Sequence, residues 1–449
     1  MALFLLLIGQ AYVTNDDGGS MLEVARSVVH DGDLSVPAHF GVLGEGGEQY
    51  SKYGLLLPLL SLVPVGLAQV LGVLTGHVRT LESGGAASLM PLIGGALAAA
   101  LYVLGRRLGA PRAAAALVAA GTVLGTYLLP YGRDFFAEPL VALGLVVMVE
   151  RVLAGRELQA ATALALAVLA RPQSAAFVPL LGVFVLWRGG GVAGLLRCVA
   201  PLALAATITL AYNLVRFGDL LEFGYREPVD PGFTTPLWEG AAGLLASPEK
   251  SVLLFAPAIV LVPFAAVALW RRERATAAIV LALFGVVFVL DATWHSWEGG
   301  WAWGPRLLIP GVALVLVLLA PWIGEDRRRL RGAGALFATG FVLSFCAVLA
   351  PLGTQLLGPQ DALQKRAGTD GPQIVRQYAE IPALARRTID ASGAPGIPAD
   401  ANRRYINLWQ ALFYLEFGRA GIIAAAAGTL ALLIALLWSA GNAVRCMRA

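Results

Sequence analysis

Of 449 residues, 58% are hydrophobic and only 14% charged, against roughly a quarter charged in an ordinary soluble domain, so the composition excludes a soluble globular protein and fits membrane embedding. The formal net charge of +4 comes mostly from arginines in short connections, a pattern of membrane topology rather than of a nucleic-acid partner. Cys198, Cys346 and Cys446 lie in or beside apolar segments without paired spacing or a histidine cluster, so neither disulfides nor a zinc site is implied.

The opening apolar run, 2–13, lacks a basic flank and resembles a first span more than a cleaved signal. Charge-free runs follow at 83–105, 113–132, 172–187, 198–215, 251–270, 275–290, 307–324, 332–360 and 420–444. Shorter runs at 139–149 and 158–170 span only if flanking charges snorkel. With roughly 20 apolar residues needed per crossing, the pattern predicts an all-α polytopic membrane protein of about 11–13 transmembrane helices.

Basic clusters sit between alternate runs, at Arg106, Arg107 and Arg112, at Arg151 and Arg156, at Arg188 and Arg197, and at Arg271, Arg272 and Arg274. Others are Arg327, Arg328, Arg329 and Arg331, then Arg445 and Arg448. The positive-inside rule places these in the cytoplasm, with Asp16, Glu138, His295 and Gln377 on the opposite, non-cytoplasmic face. The run 53–78 is long enough to cross, yet a crossing there puts every later basic cluster outside. It is therefore expected to be a juxtamembrane helix of the first outer loop, broken by its prolines and glycines. One membrane region is expected over 1–350, including the outer loop 15–82, then an outer accessory loop over 351–419, and a last span with a cytoplasmic tail over 420–449.

Chemistry-bearing residues gather in the outer segments. Asn15-Asp16-Asp17-Gly18-Gly19 sets two carboxylates where a helix begins; helix capping by Asp17 is one reading, and function at the mouth of a span is the other. Lys52, one of three lysines in the chain, lies between Tyr50 and Tyr53, where an ammonium can bind a phosphate head group or anchor at the interface. Glu138 lies at the membrane boundary and needs a partner or a cavity, with Arg133 the nearest cation in sequence. Arg171 interrupts apolar sequence, and Lys250 reads as an anchor. The tract 294–306 packs four tryptophans with His295, Glu298 and Arg306, a mix that suits a sugar platform with a phosphate-binding arginine.

In this order the residues resemble the polyprenyl-phosphate-sugar glycosyltransferases of the C-type superfamily, particularly the protein mannosyltransferase and lipid A aminoarabinose transferase group. The likeness is carried by Asp16-Asp17, Val24-Ala25-Arg26, Gly32-Asp33-Leu34 and Pro37, and by Lys52-Tyr53-Gly54-Leu55, where the family has two prolines after the lysine. Glu138-Pro139-Leu140 is similar to the family's second acid before a span, and Asn213 to Asp219 and Trp303-Gly304-Pro305-Arg306 look like tracts of bacterial members.

The resemblance implies an inverting glycosyltransferase of a bacterial inner membrane, moving a hexose or pentose from a polyprenyl-phosphate donor to an envelope acceptor at the outer face. A carboxylate takes the proton of the acceptor hydroxyl, and cations stabilise the leaving phosphate. Asp16 is the expected base, with Asp17 beside it and Glu138 orienting the acceptor. Lys52 and Arg306, then Arg133 and Arg171, are the expected phosphate ligands, and Asp134, His295, Trp297 and Glu298 the acceptor or sugar ligands. No dedicated cofactor or metal site is read, although the outer carboxylates are able to bind a divalent cation. A multi-spanning transporter or lipid flippase is the alternative, disfavoured because the polar groups gather on one face instead of lining a path across.

Overall fold

The computed structural model describes residues 1–10, 12–226, 230–248, 250–300, 302–349, 423–439 and 442. The expected loop 351–419 with Gln377, together with Trp301 and Cys446, lies outside the described residues. In chain order the helices are α1 (Ala2–Leu7), α2 (Asp16–His30), α3 (Leu56–Thr75), α4 (Val78–Ala87), α5 (Leu89–Arg107), α6 (Arg112–Leu124), α7 (Leu128–Tyr131), α8 (Glu138–Leu153) and α9 (Glu157–Ala170). They continue as α10 (Val178–Trp187), α11 (Gly191–Phe217), α12 (Leu237–Ala246), α13 (Val252–Phe255), α14 (Val262–Trp270), α15 (Arg274–Thr293), α16 (Ile309–Leu316), α17 (Leu319–Ile323) and α18 (Arg327–Leu349). A further apolar helix covers Ile423–Ser439.

The fold is all-α, as the apolar runs predict, apart from a small antiparallel hairpin of β1 (Val42–Leu43) and β2 (Gln49–Tyr50) that leads into Lys52. Among the described residues, four helical stretches are long and apolar enough to cross a membrane by length and composition: Leu56–Thr75, Val78–Arg107, Gly191–Phe217 and Arg274–Thr293. Helix α16 is buried all round, from Ile309 to Leu316, so the other helices wrap it. Where α12 crosses α15, Gly240 presses against the backbone of Ala292, and a Cβ there would collide with its carbonyl.

Among the described residues five tight turns, α5 to α6, α8 to α9, α10 to α11, α14 to α15 and α17 to α18, carry five of the six basic clusters, and Arg445 and Arg448 lie outside the described residues. Gly109, Gly155 and Gly189 close three of the turns with φ of 87°, 66° and 85°, values that favour glycine. Each of the five clusters also finds a carboxylate. Arg107 and Arg151 share Glu150 at 2.6 Å each, Arg197 pairs with Glu157 at 3.2 Å, Arg188 with Glu273 at 2.9 Å, and Arg272 and Arg329 with Glu325 at 2.6 and 3.0 Å. The acid-rich segments lie at the other ends of the same helices.

Helix α3 departs from the expected broken helix. Pro64 is accommodated inside it, and the break falls only at Gly76, whose φ is 74°. Leu57, Ser61, Val65, Ala68 and Gly72 form its buried face, while Val63, Leu67, Val70 and Leu74 form an exposed apolar stripe at the same helical spacing. Beyond Gly76, α4 folds back antiparallel on α3, with Gly72 against Val78 and Pro64 against Gly85. Glu82, 1% exposed, ties this hairpin to α2: it takes a hydrogen bond from Arg26 at 2.8 Å and one from Gln69 at 2.7 Å, and lies 2.7 Å from His30 Nε2. Glu82→Ala removes the common acceptor of all three, and the expected loss is about 2 kcal/mol of stability, from charge-assisted hydrogen bonds. A thermal unfolding midpoint equal to that of the unsubstituted protein would show the hub to be dispensable.

Candidate active site

The site grows from the start of α2. Asn15 is the cap of this helix, its Oδ1 accepting from Gly18 N at 2.6 Å, so Asp17 is not spent on capping. Both aspartates sit in the first turn, where the helix dipole favours negative charge. Successive helical residues point about 100° apart, and the two part company here. Asp16 is exposed, away from the other site residues, whereas Asp17 turns inward.

Asp17 accepts from Tyr53 Oη at 2.6 Å and from Arg306 Nη1 at 2.7 Å. Burial alone would raise its pKa, but the Arg306 charge and the bonds from Tyr53 and Arg306 outweigh this, holding the carboxyl below the ordinary aspartate value. Burial, followed by the nearby Asp17 charge, pushes the Tyr53 hydroxyl well above the usual tyrosine range, so it stays a donor. Arg306 lies over the Phe136 ring at 4.7 Å, and its Nε is 3.9 Å from Glu138 Oε1.

Glu138 opens α8 and is buried; its partner is Arg171, 2.5 Å away at the end of α9, and not Arg133. Arg133 is itself fully buried, with Nη1 donating to the Val348 carbonyl of α18 at 3.2 Å. Desolvation lowers its pKa to about 10. Its neighbour Asp134 accepts from Asn15 Nδ2 at 2.9 Å; burial raises its pKa to about 6, against the pull of that bond and of Arg133.

Lys52 donates to Asp230 at 2.6 Å and lies 4.9 Å from the centre of the Tyr225 ring. Arg216, 2% exposed at the end of α11, donates to the Ser51 carbonyl and to Asn213 Oδ1 at 2.7 Å, fixing the backbone just before Lys52.

Several of these side chains line a small cleft, partly open to solvent. Asp17, Lys52, Tyr53, Glu138, Arg171 and Tyr225 supply its polar wall, and Met21, Phe136, Ala137, Ala170 and Pro172 its apolar one. Arg306 backs the polar wall through its bond to Asp17. Three carboxylates, Asp17, Glu138 and Asp230, thus face three cations, Arg306, Arg171 and Lys52, each pair in direct contact. The arrangement is suited to a ligand that combines an anionic group with apolar surface.

Arg133 and Asp134 lie behind this cleft. His295 stands at its edge, with Nε2 3.5 Å from Asp230 Oδ1. Trp297 packs against Gly243 of α12, and Trp303 meets Phe255 edge-on at 5.4 Å, so both are packing side chains. Glu298 accepts only from the neighbouring Ser296, at 3.2 Å. Lys250, read as an anchor, is buried and donates to the carbonyls of Gly300 and Ala302 at 2.9 and 2.5 Å, clasping the tryptophan tract from below. Among the described residues no group of three or more His, Cys, Asp or Glu side chains is arranged to hold a metal.

Tyr53, Tyr225 and Asp230 were not expected from the sequence. Asn15 carries a local signal, since an asparagine before an acidic helix start is a strong cap. Tyr225 and Asp230 belong to an irregular segment with no periodicity to mark them.

No family model matches the sequence, and no curated protein matches it. Among solved structures, ArnT from Cupriavidus metallidurans bound to undecaprenyl phosphate is similar with a TM-score of 0.54 and 14% identity, over 96% of this chain and 75% of that one. The same protein in the apo state gives 0.55 and 14%, over 95% and 75%. The archaeal oligosaccharyltransferase AglB from Archaeoglobus fulgidus, in complex with an inhibitory peptide and a dolichol-phosphate, overlaps with a TM-score of 0.45 and 14% identity, over 94% of this chain and 56% of that chain. The chain therefore has the fold of ArnT.

Proposed function

We propose that the protein is a glycosyltransferase that moves a sugar from a polyprenyl-phosphate carrier to an acceptor hydroxyl in the cell envelope. The observation that carries this reading is Asp17, held between Tyr53 and Arg306 in a cleft whose walls also bear Lys52 and Arg171. A base close to several cations is what displacement of a phosphate from an anomeric carbon requires. The acceptor oxygen attacks that carbon with inversion, the carbon–oxygen bond to phosphate breaks, and the acceptor's proton passes to Asp17.

The base role moves from Asp16 to Asp17, because Asp16 stands clear of the cleft. With Arg306 on it, Asp17 is a weak base. A donor phosphate that also meets Lys52 and draws Arg306 onto its own oxygens removes part of the charge holding that proton affinity down, so donor binding activates the base. Arg171 completes the phosphate ligands, and Glu138 orients the acceptor.

Purified protein incubated with labelled polyprenyl-phosphate sugars and extracted envelope acceptors is expected to transfer label to an acceptor. Movement of the lipid across a vesicle bilayer without transfer would replace this reading with the transporter.

The cleft is proposed to open on the non-cytoplasmic side of a bacterial inner membrane, since the five turns at the other end carry the arginines. Impermeant thiol reagents are expected to label Cys at position 295 from outside and Cys at position 328 only after permeabilisation. Labelling of both from the same side would refute this orientation.

A further inference from the structure

Asn15 does more than cap a helix. Its Oδ1 takes the Gly18 amide of α2, while its Nδ2 donates to Asp134 Oδ1 at 2.9 Å and to the Phe135 carbonyl at 3.4 Å. Asp134 is 4% exposed, and the same Oδ1 accepts from Phe135 N at 3.0 Å. The first turn of α2 rests directly on this segment: a Cβ built on Gly18 would lie 2.6 Å from the Phe135 carbonyl.

The segment 131–137 is itself anchored. Tyr131 Oη donates to the Trp303 carbonyl at 2.8 Å, three residues before Arg306, and Arg133 is held on α18. It then runs straight into Glu138 at the start of α8. Asn15 and Asp134 therefore join the helix that bears Asp17 to the turn that bears Glu138, and neither lines the cleft.

The residue types matter. Serine, threonine or aspartate would cap Gly18 as well as asparagine does, but among good caps asparagine is the one whose side chain accepts from its own helix and also donates strongly to a carboxylate. A buried carboxylate is costly without such a donor. We infer that Asn15 and Asp134 form a positioning pair that sets the rotation of α2, and so the direction in which Asp17 meets the acceptor. Neither touches substrate, and the pair acts through Asp17; the inference rests on the reading of Asp17 as the base.

The test uses the full-length protein in detergent with its polyprenyl-phosphate sugar donor, reading kcat, donor KM and the thermal midpoint. N15S keeps a cap acceptor but loses the bond to Asp134, and its kcat is expected to fall about tenfold with donor KM within about twofold, since small misplacements of reacting groups carry large rate losses. N15D sets two carboxylates against each other, and a loss of about 100-fold is expected. The double variant N15D/D134N exchanges the two groups, restoring a cap and one amide-to-carboxylate bond. Its kcat is expected to return to within about threefold of the starting protein, as the geometry is restored.

A double variant no faster than N15D overturns the inference, as does an N15S protein with unchanged kcat, or one whose loss lies in donor KM. If N15D does not fold, N15S alone carries the test. D17N separates the two levels. Full activity in D17N overturns the reading of Asp17 and the inference with it, whereas an inactive D17N beside a fully active N15S overturns the inference alone.

Discussion

Asp17→Asn is expected to lower turnover by about 10² to 10⁴, the usual cost of losing a general base, with donor affinity retained. The amide keeps the size of the side chain: its one oxygen accepts from Arg306 while its NH2 donates to the Tyr53 hydroxyl, so the side chain stays in place and the basicity is lost. In barrier terms the loss is roughly 3 to 5 kcal/mol. Asp16→Asn is the matched control: that carboxylate is exposed and outside the cleft, and its turnover is expected to stay within about threefold, the scale of a surface helix-dipole contact. Single-turnover transfer with labelled donor checks both. A larger loss in Asp16→Asn than in Asp17→Asn would return the base to Asp16, and no loss in either would end the glycosyltransferase mechanism.

Arg306→Ala is expected to lower kcat/KM by about 10² to 10³, in the range seen when one preorganised group facing developing charge is removed. Arg306 meets Asp17 directly and stands 3.9 Å from Glu138, so its loss takes a cation from the leaving phosphate and the link between both carboxylates. Lysine at this position restores the charge but not the planar fork that spans two acceptors, so Arg306→Lys should recover only part of the rate. A steady-state comparison of the two variants decides the point; unchanged kcat/KM in Arg306→Ala would remove Arg306 from the phosphate ligands.

The sequence was legible wherever function is written in local properties. Alternating arginines and charge-free runs follow from insertion chemistry, and the turns of the fold fall where they do. Of the residues expected to carry chemistry, Asp17, Lys52, Glu138 and Arg171 line one cleft, whereas Asp16, Arg133, Asp134, Trp297 and Glu298 do not. Partner choice was less legible, because it is decided in three dimensions. Arg133 is five residues from Glu138, but the segment between them directs it to Val348, and Glu138 meets Arg171 from the next helix instead. Asp16 and Asp17 are equivalent in composition; the placement of the cap at Asn15 decides which of them faces inward. The tryptophans of 294–303 share two uses, stacking on a ligand and filling space, and Gly243 beneath Trp297 shows the second, a close approach that no local pattern announces.

The ion pairs of the five tight turns bear on how the protein comes to be oriented at all. Arg188 finds its partner in Glu273, 85 residues later, and Arg272 waits for Glu325. When the earlier hairpin enters the bilayer during synthesis, the carboxylate that will neutralise its arginine has not yet been made. Arg107, Arg188 and Arg272 are thus uncompensated at that moment and a later segment supplies their acid, whereas Arg151, Arg197 and Arg329 meet an acid already made. In the folded protein Arg188 and Arg272 are joints between hairpins that were made apart.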